Sequence, residues 1–526
     1  MTTPPADEGT AAAAPPPGCP AHAALPADPA ARSDAGVARL AGAEHKSDPM
    51  GMYARLRAEY GSVAPVLMEG DLPAWLVLGY RENLDVVRTP NRFSRDSRNW
   101  GSYRRGDVAP DSPLLPLVGW QPLCAFLDGE EAERLRSAVT DSLGRLDRRG
   151  VRRHVTRFAN QLIDGFAADG TADLVARFAE QLPMLVMTQL FGMKDEYGPS
   201  LVEATLDLVR GSETAFRSNE YVVEVLEQYI PLKREQPGHD IGSWLMAHPA
   251  GLSDEEVLQH LRMILVAANE NTTICIGNTL RMVLTDHRFR ASLAGARMTL
   301  PDAVEQVLWD EPSTMVCPGR WAVGDTELGD RQIKAGDMIL LGLAAGNADP
   351  EIRPDLSVPM HGNRSHLAFS GGPHECPGQD IGRAITETAV DVLLARLPDI
   401  HLAVEDKELV WVSSWMSRHL TALPVAFTPR RPSPSAEVPA GRGPGLPGAG
   451  EAAWSAGQGV GEREAAVAGQ AGAYAAAAPR SAAAHPAPPP VPASAPTVGA
   501  APPVTSRRRA PRRSLWRRFT GWLSGR

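Results

Sequence analysis

One segment restricts the fold of this chain more than any other. From Ser253 to about residue 285 the sequence runs "SDEEVLQHLRMILVAANENTTICIGNTLRMVL", with no proline. Ser253 and Glu256 have the spacing of a capping box, in which each residue satisfies a backbone N–H of the other. The middle of the segment is apolar on more than one face, so the helix that it forms must cross a core. Its neighbours are helical as well. "EEAERLRSAVTDSL", "RRHVTRFANQLIDGF" and "DLVARFAEQLPMLVMTQLFG" repeat apolar residues at three- and four-residue spacing. Strand-like signals are few. "AWLVLGY" (74–80) reads as a short strand, with a helix at 80–89 after it, and "VGDTELGDRQIKAGDMILLGLAA" (323–345) reads as a β-rich region with glycine at its turns. A last helix is expected over 379–396. The fold class is mainly α with a minor β region.

Not all of the 526 residues are suited to a core. Residues 1–45 are dominated by Ala and Pro, and 431–505 by Ala, Pro and Gly. Such segments bury too little apolar surface to offset chain entropy, so both are expected to be disordered. Residues 46–430 are expected to form the folded domain, and 506–526 a separate tail. Five cysteines (Cys19, Cys124, Cys275, Cys317 and Cys376) form an odd, sparse set that points to a reducing, cytoplasmic compartment. The N-terminus has no basic region followed by an apolar run, and no stretch is long and apolar enough to span a membrane. Residues 501–526 carry eight arginines and no acid. Removing those eight charges from the net −9 leaves −17 on the rest. An acidic body with a basic end does not suit nucleic acid, and none is expected as a partner.

The stretch "FSGGPHECPGQDIGR" (369–383) carries the chemistry. Gly371 and Gly372 permit backbone conformations and close approach that side chains forbid. Cys376 precedes the helix 379–396, where a thiolate meets helix-terminal N–H groups. Pro377 has no N–H, so Gly378 and Gln379 are the candidate donors. Phe369 is expected to pack near the sulfur and to limit water. A buried inert thiol is the plain reading of a lone cysteine. It suits Cys317 in "VCPGR", which lacks both the preceding glycines and a following helix.

The string Phe369-x-x-Gly372-x-His374-x-Cys376-x-Gly378 resembles the haem-binding loop of the cytochrome P450 family. The resemblance covers about residues 47–428. It includes "FSRD" (93–96), Arg134 and Arg136 in "ERLR", Arg320 in "GRWA", "NADP" (347–350) with "HLAF" (366–369), and "LPV" (423–425). It implies a triangular helical prism with the long helix lying across haem b (iron protoporphyrin IX). It implies Cys376 as the thiolate ligand of the iron. Arg136, Arg320 and His374 match positions that contact the haem propionates, which need cationic or donor partners. Arg134 reads as a surface arginine.

The chain also departs from the family pattern. Where the family has Glu-x-x-Arg, Gln306 and Trp309 stand in "QVLW", and His361 stands where a third, arginine member is usual. An amide and an indole cannot form that ion pair. Glu305 is one residue off, about 100° round the helix. The integrity of the haem pocket is thereby put in question. A few actinobacterial members resemble this chain in lacking the pair, notably those encoded beside sensor-kinase and small-GTPase-like genes. In the long helix, Glu270 keeps the family's acid, but Asn271 replaces the alcohol and Thr272 is displaced by about 100°. Asn271 can hold water but has no hydroxyl to relay protons. Thr272 could serve if the helix bulges locally. Ala132 stands where a histidine is often found near a propionate.

These features imply a monooxygenase that inserts one atom of O₂ into a small hydrophobic substrate. Its electrons would come from NAD(P)H through a ferredoxin and its reductase. Residues 95–125 and 205–235 are expected to line the substrate pocket. The altered motifs keep two other readings open: a regulatory or sensory haem protein of a membrane-peripheral assembly, and a peroxide-driven oxidase. In the tail 507–526, Leu515, Trp516, Phe519, Trp522 and Leu523 share one helical face among arginines. That pattern suits an anionic membrane surface. A linker of about 75 residues would give the domain reach.

Overall fold

The computed structural model describes residues 37–109, 112, 114–210, 214–286, 299–360 and 362–431. The basic tail, the Ala/Pro/Gly-rich segment before it, Cys19 and His361 lie outside these residues. The folded part begins earlier than the sequence suggests. Residues 37–45 belong to it, because Leu40 and His45 are both fully buried.

The long helix spans Asp254–Thr285, 32 residues, with the capping box of Ser253 and Glu256 formed in both directions. At about 1.5 Å per residue it is roughly 48 Å long. It stays α-helical throughout, without a bulge. It packs against the helices Leu182–Leu190, Ala215–Glu235, Leu300–Asp310 and Gln379–Arg396. An apolar surface on several faces requires this number of partners. The expected helix over 173–192 is broken. A short strand, Thr171–Asp173, is followed by one π-helical turn, Val175–Ala179, and the α-helix resumes only at Leu182 with Pro183 in its first turn. Proline has no N–H to continue the preceding turn.

The principal sheet contains β1 (Ala38–Arg39), β2 (Val63–Leu67), β3 (Pro73–Val77), β4 (Phe93–Ser94), β6 (Val316–Ala322) and β9 (Met338–Gly342). Its order is β1-β2-β3-β9-β6-β4. β5 (Thr171–Asp173) pairs with β13 (Pro424–Ala426), which also pairs with β10 (His401–Leu402). Two hairpins complete the β structure: β7 (Thr326–Leu328) with β8 (Arg331–Ile333), and β11 (Trp411–Ser413) with β12 (Arg418–Leu420). The helix Tyr80–Arg88 follows β3 as expected. The β-rich stretch ends sooner than expected, because residues 343–347 form a helical turn.

One irregularity positions the site. In β6, Cys317 pairs with Leu341 and Arg320 with Ile339, so three steps on β6 match two on β9. This is a β-bulge, and it turns residues 317 and 320 to the same side. Gly319 sits in the bulge at φ +79°, and a Cβ there would lie 2.7 Å from a guanidinium nitrogen of Arg95.

Candidate active site

The residues from Phe369 to Gly378 form a tight loop ahead of the helix Gln379–Arg396. The Cys376 N–H donates to the Phe369 carbonyl at 3.0 Å and closes the loop. Gly372 has φ +66°, and a Cβ there would fall 2.1 Å from the carbonyl oxygen of Val87. Only glycine fits this contact. Ser370 adopts φ +59° without being glycine, and its hydroxyl is buried with no partner. Of the two expected donors to the sulfur, the Gly378 N–H serves. The Gln379 side chain is engaged with Glu375 and Arg383. Burial pushes the Cys376 thiol above its ordinary range, against the Gly378 N–H and the Arg136 guanidinium. The helix-terminal N–H favours the thiolate and burial opposes it, and a cation bound at the sulfur would tip the balance to the thiolate.

Cys376 faces a cavity of about 350 Å³. Asn271, Thr272, Phe369, His374 and Gly378 line it, as does Arg136. All four described cysteines do so too, and Cys317 is a free, half-buried thiol on this wall. Residues 95–125 contribute Cys124 and Ala125, whereas no described residue of 205–235 reaches this wall. Arg136 donates to the Glu375 carbonyl. Arg134 is directed elsewhere, to Glu131 and Glu256.

One edge of the site is cationic. Arg320 is 3 % exposed, and among the described residues its side chain donates to the carbonyl of Gly319 at 3.3 Å. Burial, and then the neighbouring Arg95, push its pKa down to about 9. Arg95, half-buried, is spent on the carbonyls of Ala125, Pro318 and Gly319. Asp128 is the nearby acid. It accepts from Ser94, from the Arg95 N–H and from His374 at 3.2 Å. Burial takes His374 down to about 4 despite that bond, with Arg320 and Arg95 adding to the effect. A buried and a half-buried guanidinium beside one carboxylate leave positive charge that calls for anionic groups. Arg95 lies in "FSRD", whereas Asp128 lies outside the strings quoted from the sequence.

The long helix divides the residues that the sequence grouped. Asn271 and Thr272 line the Cys376 cavity, but Glu270 lines a separate chamber on another face. Asn271 is held at both ends. Its Nδ2 donates to the Ala267 carbonyl at 3.1 Å, and its Oδ1 accepts from the Thr314 hydroxyl at 2.9 Å. A carbonyl can only accept, so the amide orientation is fixed and Thr314 must be the donor. Ser313 donates to the Asn271 carbonyl at 2.8 Å. Hydroxyls thus reach Asn271 from the segment after the helix Leu300–Asp310.

The missing Glu-x-x-Arg pair has counterparts. Glu305 is 2 % exposed, and its carboxylate meets Arg383 at 2.6 Å, His366 at 2.9 Å and Arg364 at 3.3 Å. Burial pushes this carboxyl up, but His366 and Arg383 outweigh burial and hold it below the ordinary range. Arg383 lines the Cys376 cavity and stacks on Phe369 with its guanidinium 4.6 Å from the ring centre. Gln306 accepts from the Met360 N–H at 2.8 Å, and Trp309 donates to the Asn363 carbonyl at 2.8 Å. Arg353 covers the Trp309 ring at 5.5 Å and pairs with Asp310 at 2.9 Å. The substituted residues therefore tie down the loop before Cys376 by backbone hydrogen bonds.

Comparison with known proteins bears on this arrangement. No family model matches the chain. The cytochrome P450 monooxygenase PikC of Streptomyces venezuelae is 32 % identical over 400 residues, covering 73 % of this chain and 92 % of that protein. The 2-hydroxy-5-methyl-1-naphthoate 7-hydroxylase of Streptomyces carzinostaticus is 28 % identical over 392 residues, covering 72 % and 95 %. Among solved structures, CYP154A1 from Streptomyces coelicolor matches with a TM-score of 0.64 at 29 % identity, over 72 % of this chain and 98 % of that one. The residues here fit the cofactor that such proteins hold. The Cys376 thiol faces the cavity, and buried Arg320 lies behind its wall, close to the lining residues Cys317 and His374.

Proposed function

This chain belongs to the cytochrome P450 family and is a haem-binding monooxygenase, and we propose that Cys376 is its iron ligand and that its substrate is a small hydrophobic molecule. The observation that carries the ligand assignment is the half-buried Cys376 thiol, which lines one cavity with Asn271 and Thr272, with the guanidiniums of Arg136 and Arg320 close by. Electrons come from NAD(P)H through a ferredoxin and its reductase. Haem, when bound, supplies the activation of O₂ with two electrons. The rest of the work falls to side chains.

Arg320 and Arg136 would neutralise the haem propionates, while neutral His374, whose one N–H goes to Asp128, lines the same wall of the cavity. Gly378 donates to the sulfur and limits its basicity. Phe369 shields it from water. Asn271, fixed by Ala267 and Thr314, and Thr272 beside it present polar groups to the bound substrate and its waters. Glu270 exchanges protons from the other side of the helix. Burial pushes it up to about 7, which suits a group that both gives and takes a proton near neutrality. The reaction consumes O₂, two electrons and two protons, and yields the hydroxylated product and water.

We place the protein in the cytoplasm, with the tail 507–526 as a peripheral contact to anionic lipid. No described helix is long and apolar enough to cross a membrane. The absorption spectrum of the reduced, carbon-monoxide-bound protein tests the assignment, with Cys376→Ala beside it. A thiolate-type Soret band that is lost in the variant supports it. A band of the neutral-ligand type, or no haem, rejects it in favour of a regulatory haem protein.

A further inference from the structure

Behind the long helix, Glu270 opens on a second chamber of about 50 Å³, apart from the Cys376 cavity. Its polar lining is Glu180, Asn269, Glu270, Thr273, Asn278 and His419. Three of these residues carry buried polar atoms that find no hydrogen-bond partner among the described residues: Asn269 Oδ1, Asn278 Oδ1 and His419 Nδ1. Asn269 is 2 % exposed and Asn278 is 1 % exposed. Asn278 Nδ2 donates to the Glu311 carbonyl at 3.2 Å, so its Oδ1 must be the end without a partner. The Thr273 hydroxyl donates to the Ala179 carbonyl at 3.1 Å, which leaves its lone pairs free to accept.

The chamber is therefore rich in acceptors and poor in donors. A buried acceptor left without a donor is costly, and two or three of them in one apolar fold would be a large penalty. Water supplies two donors per molecule, and the volume is well above the ~10–15 Å³ that one water needs. His419 lies on β12 (Arg418–Leu420) and is half-buried, with its Nδ1 facing inward.

We propose that this chamber is a hydrated site in which ordered water joins Glu270 to His419, making His419 the outer end of a proton path to Glu270. A proton that arrives on one ring nitrogen releases another from the second. The ring then returns to its first tautomer, with no net change. Water carries the proton from His419 to Glu270, so His419 is a positioning and relay residue and does not touch substrate. The inference rests on the reading of Glu270 as the group that exchanges protons during turnover.

The test uses the full-length protein. A crystal structure should show ordered water within hydrogen-bonding distance of Asn269 Oδ1 and Asn278 Oδ1. Infrared spectroscopy at mildly acidic pH should show a protonated carboxyl band that Glu270→Gln removes and His419→Gln shifts. With a surrogate ferredoxin and reductase and no added substrate, His419→Gln should shift the electrons of NADPH from water to peroxide, toward the limit of one peroxide per NADPH. A dry chamber overturns the proposal. So does a metal ion in place of water, or a carboxyl band that His419→Gln leaves unmoved. The crystal and infrared results need no turnover. Failure of the chamber would leave the Cys376 spectrum intact, and a lost thiolate band would leave the chamber result standing.

Discussion

Glu305 and Arg383 form an ion pair at 2.6 Å with both side chains 3 % exposed. It joins the helix Leu300–Asp310 to the helix that follows the cysteine loop, seven residues beyond Cys376. Removing one member strands the other charge, at a cost of about 3–5 kcal/mol. Glu305→Ala should therefore lower the melting temperature and weaken haem retention, whereas the surface variant Glu59→Ala should do neither. The carboxyl is held below its ordinary range, so its contribution is full above the unfolded value and is lost as pH falls through the folded one. Acid titration of stability in wild type and Glu305→Gln checks the sign. Wild type should lose more of its stability below about pH 4.5.

Restoring the family's charged pair should do harm here. Trp309→Arg would set a second guanidinium against buried Arg353, whose side chain is 2 % exposed and already uses Asp310. The expected loss is about 3 kcal/mol, from the removed indole packing and the like charge. Adding Gln306→Glu should recover part of it. Thermal unfolding of the single and double variants decides the point. A single variant as stable as wild type would contradict the network described.

The Asn271–Thr314 bond predicts a coupling effect. Thr314→Val removes the donor and should cost about 1 kcal/mol in stability. It should also raise the peroxide formed per NADPH consumed, because Asn271 loses its fixed orientation. Thr314→Ser should restore both. Asn271→Thr restores a hydroxyl to the long helix and should lower the peroxide fraction. The ratio of peroxide to NADPH is the readout.

Glu270 sets an opposite pH trend. Burial raises its folded value to about 7, so its stabilising effect is full below about 4.5, the unfolded value, and falls as pH rises through 7. The shift corresponds to roughly 2–3 kcal/mol after allowance for its partial exposure. Glu270→Gln should remove this slope and be the more stable form at alkaline pH, as chemical denaturation at several pH values would show.

Arg320 tests the cationic edge. In the haem-free protein, Arg320→Leu removes a buried charge with little hydrogen bonding and should not lower stability. In the haem-loaded protein the same change should speed haem loss by about tenfold or more, the equivalent of one charged hydrogen bond. Equal effects on both forms would mean that the arginine serves the fold and not the cofactor.

The sequence by itself determined what depends on local spacing. The capping box at Ser253, the apolar length behind it, the glycines before Cys376 and the helix after it are all short-range patterns, and all of them formed as read. Cys376 as the candidate ligand and Arg320 as a propionate contact came from the family resemblance and not from local spacing. Contacts between distant segments needed the tertiary structure. The Glu305–Arg383 pair spans 78 residues and the Thr314–Asn271 bond 43. Neither partner in each pair carries a local signal for the other. The sequence grouped Glu270 with Asn271 because they are adjacent, yet a step of about 100° per residue sends them to different cavities. Burial was likewise decided by packing: it raised the Cys376 thiol against a favourable helix terminus, and it set the charge of Arg320 and His374. Position along the chain fixes the order of chemical groups. Which of them meet, and in how much water, is fixed only when the helices pack.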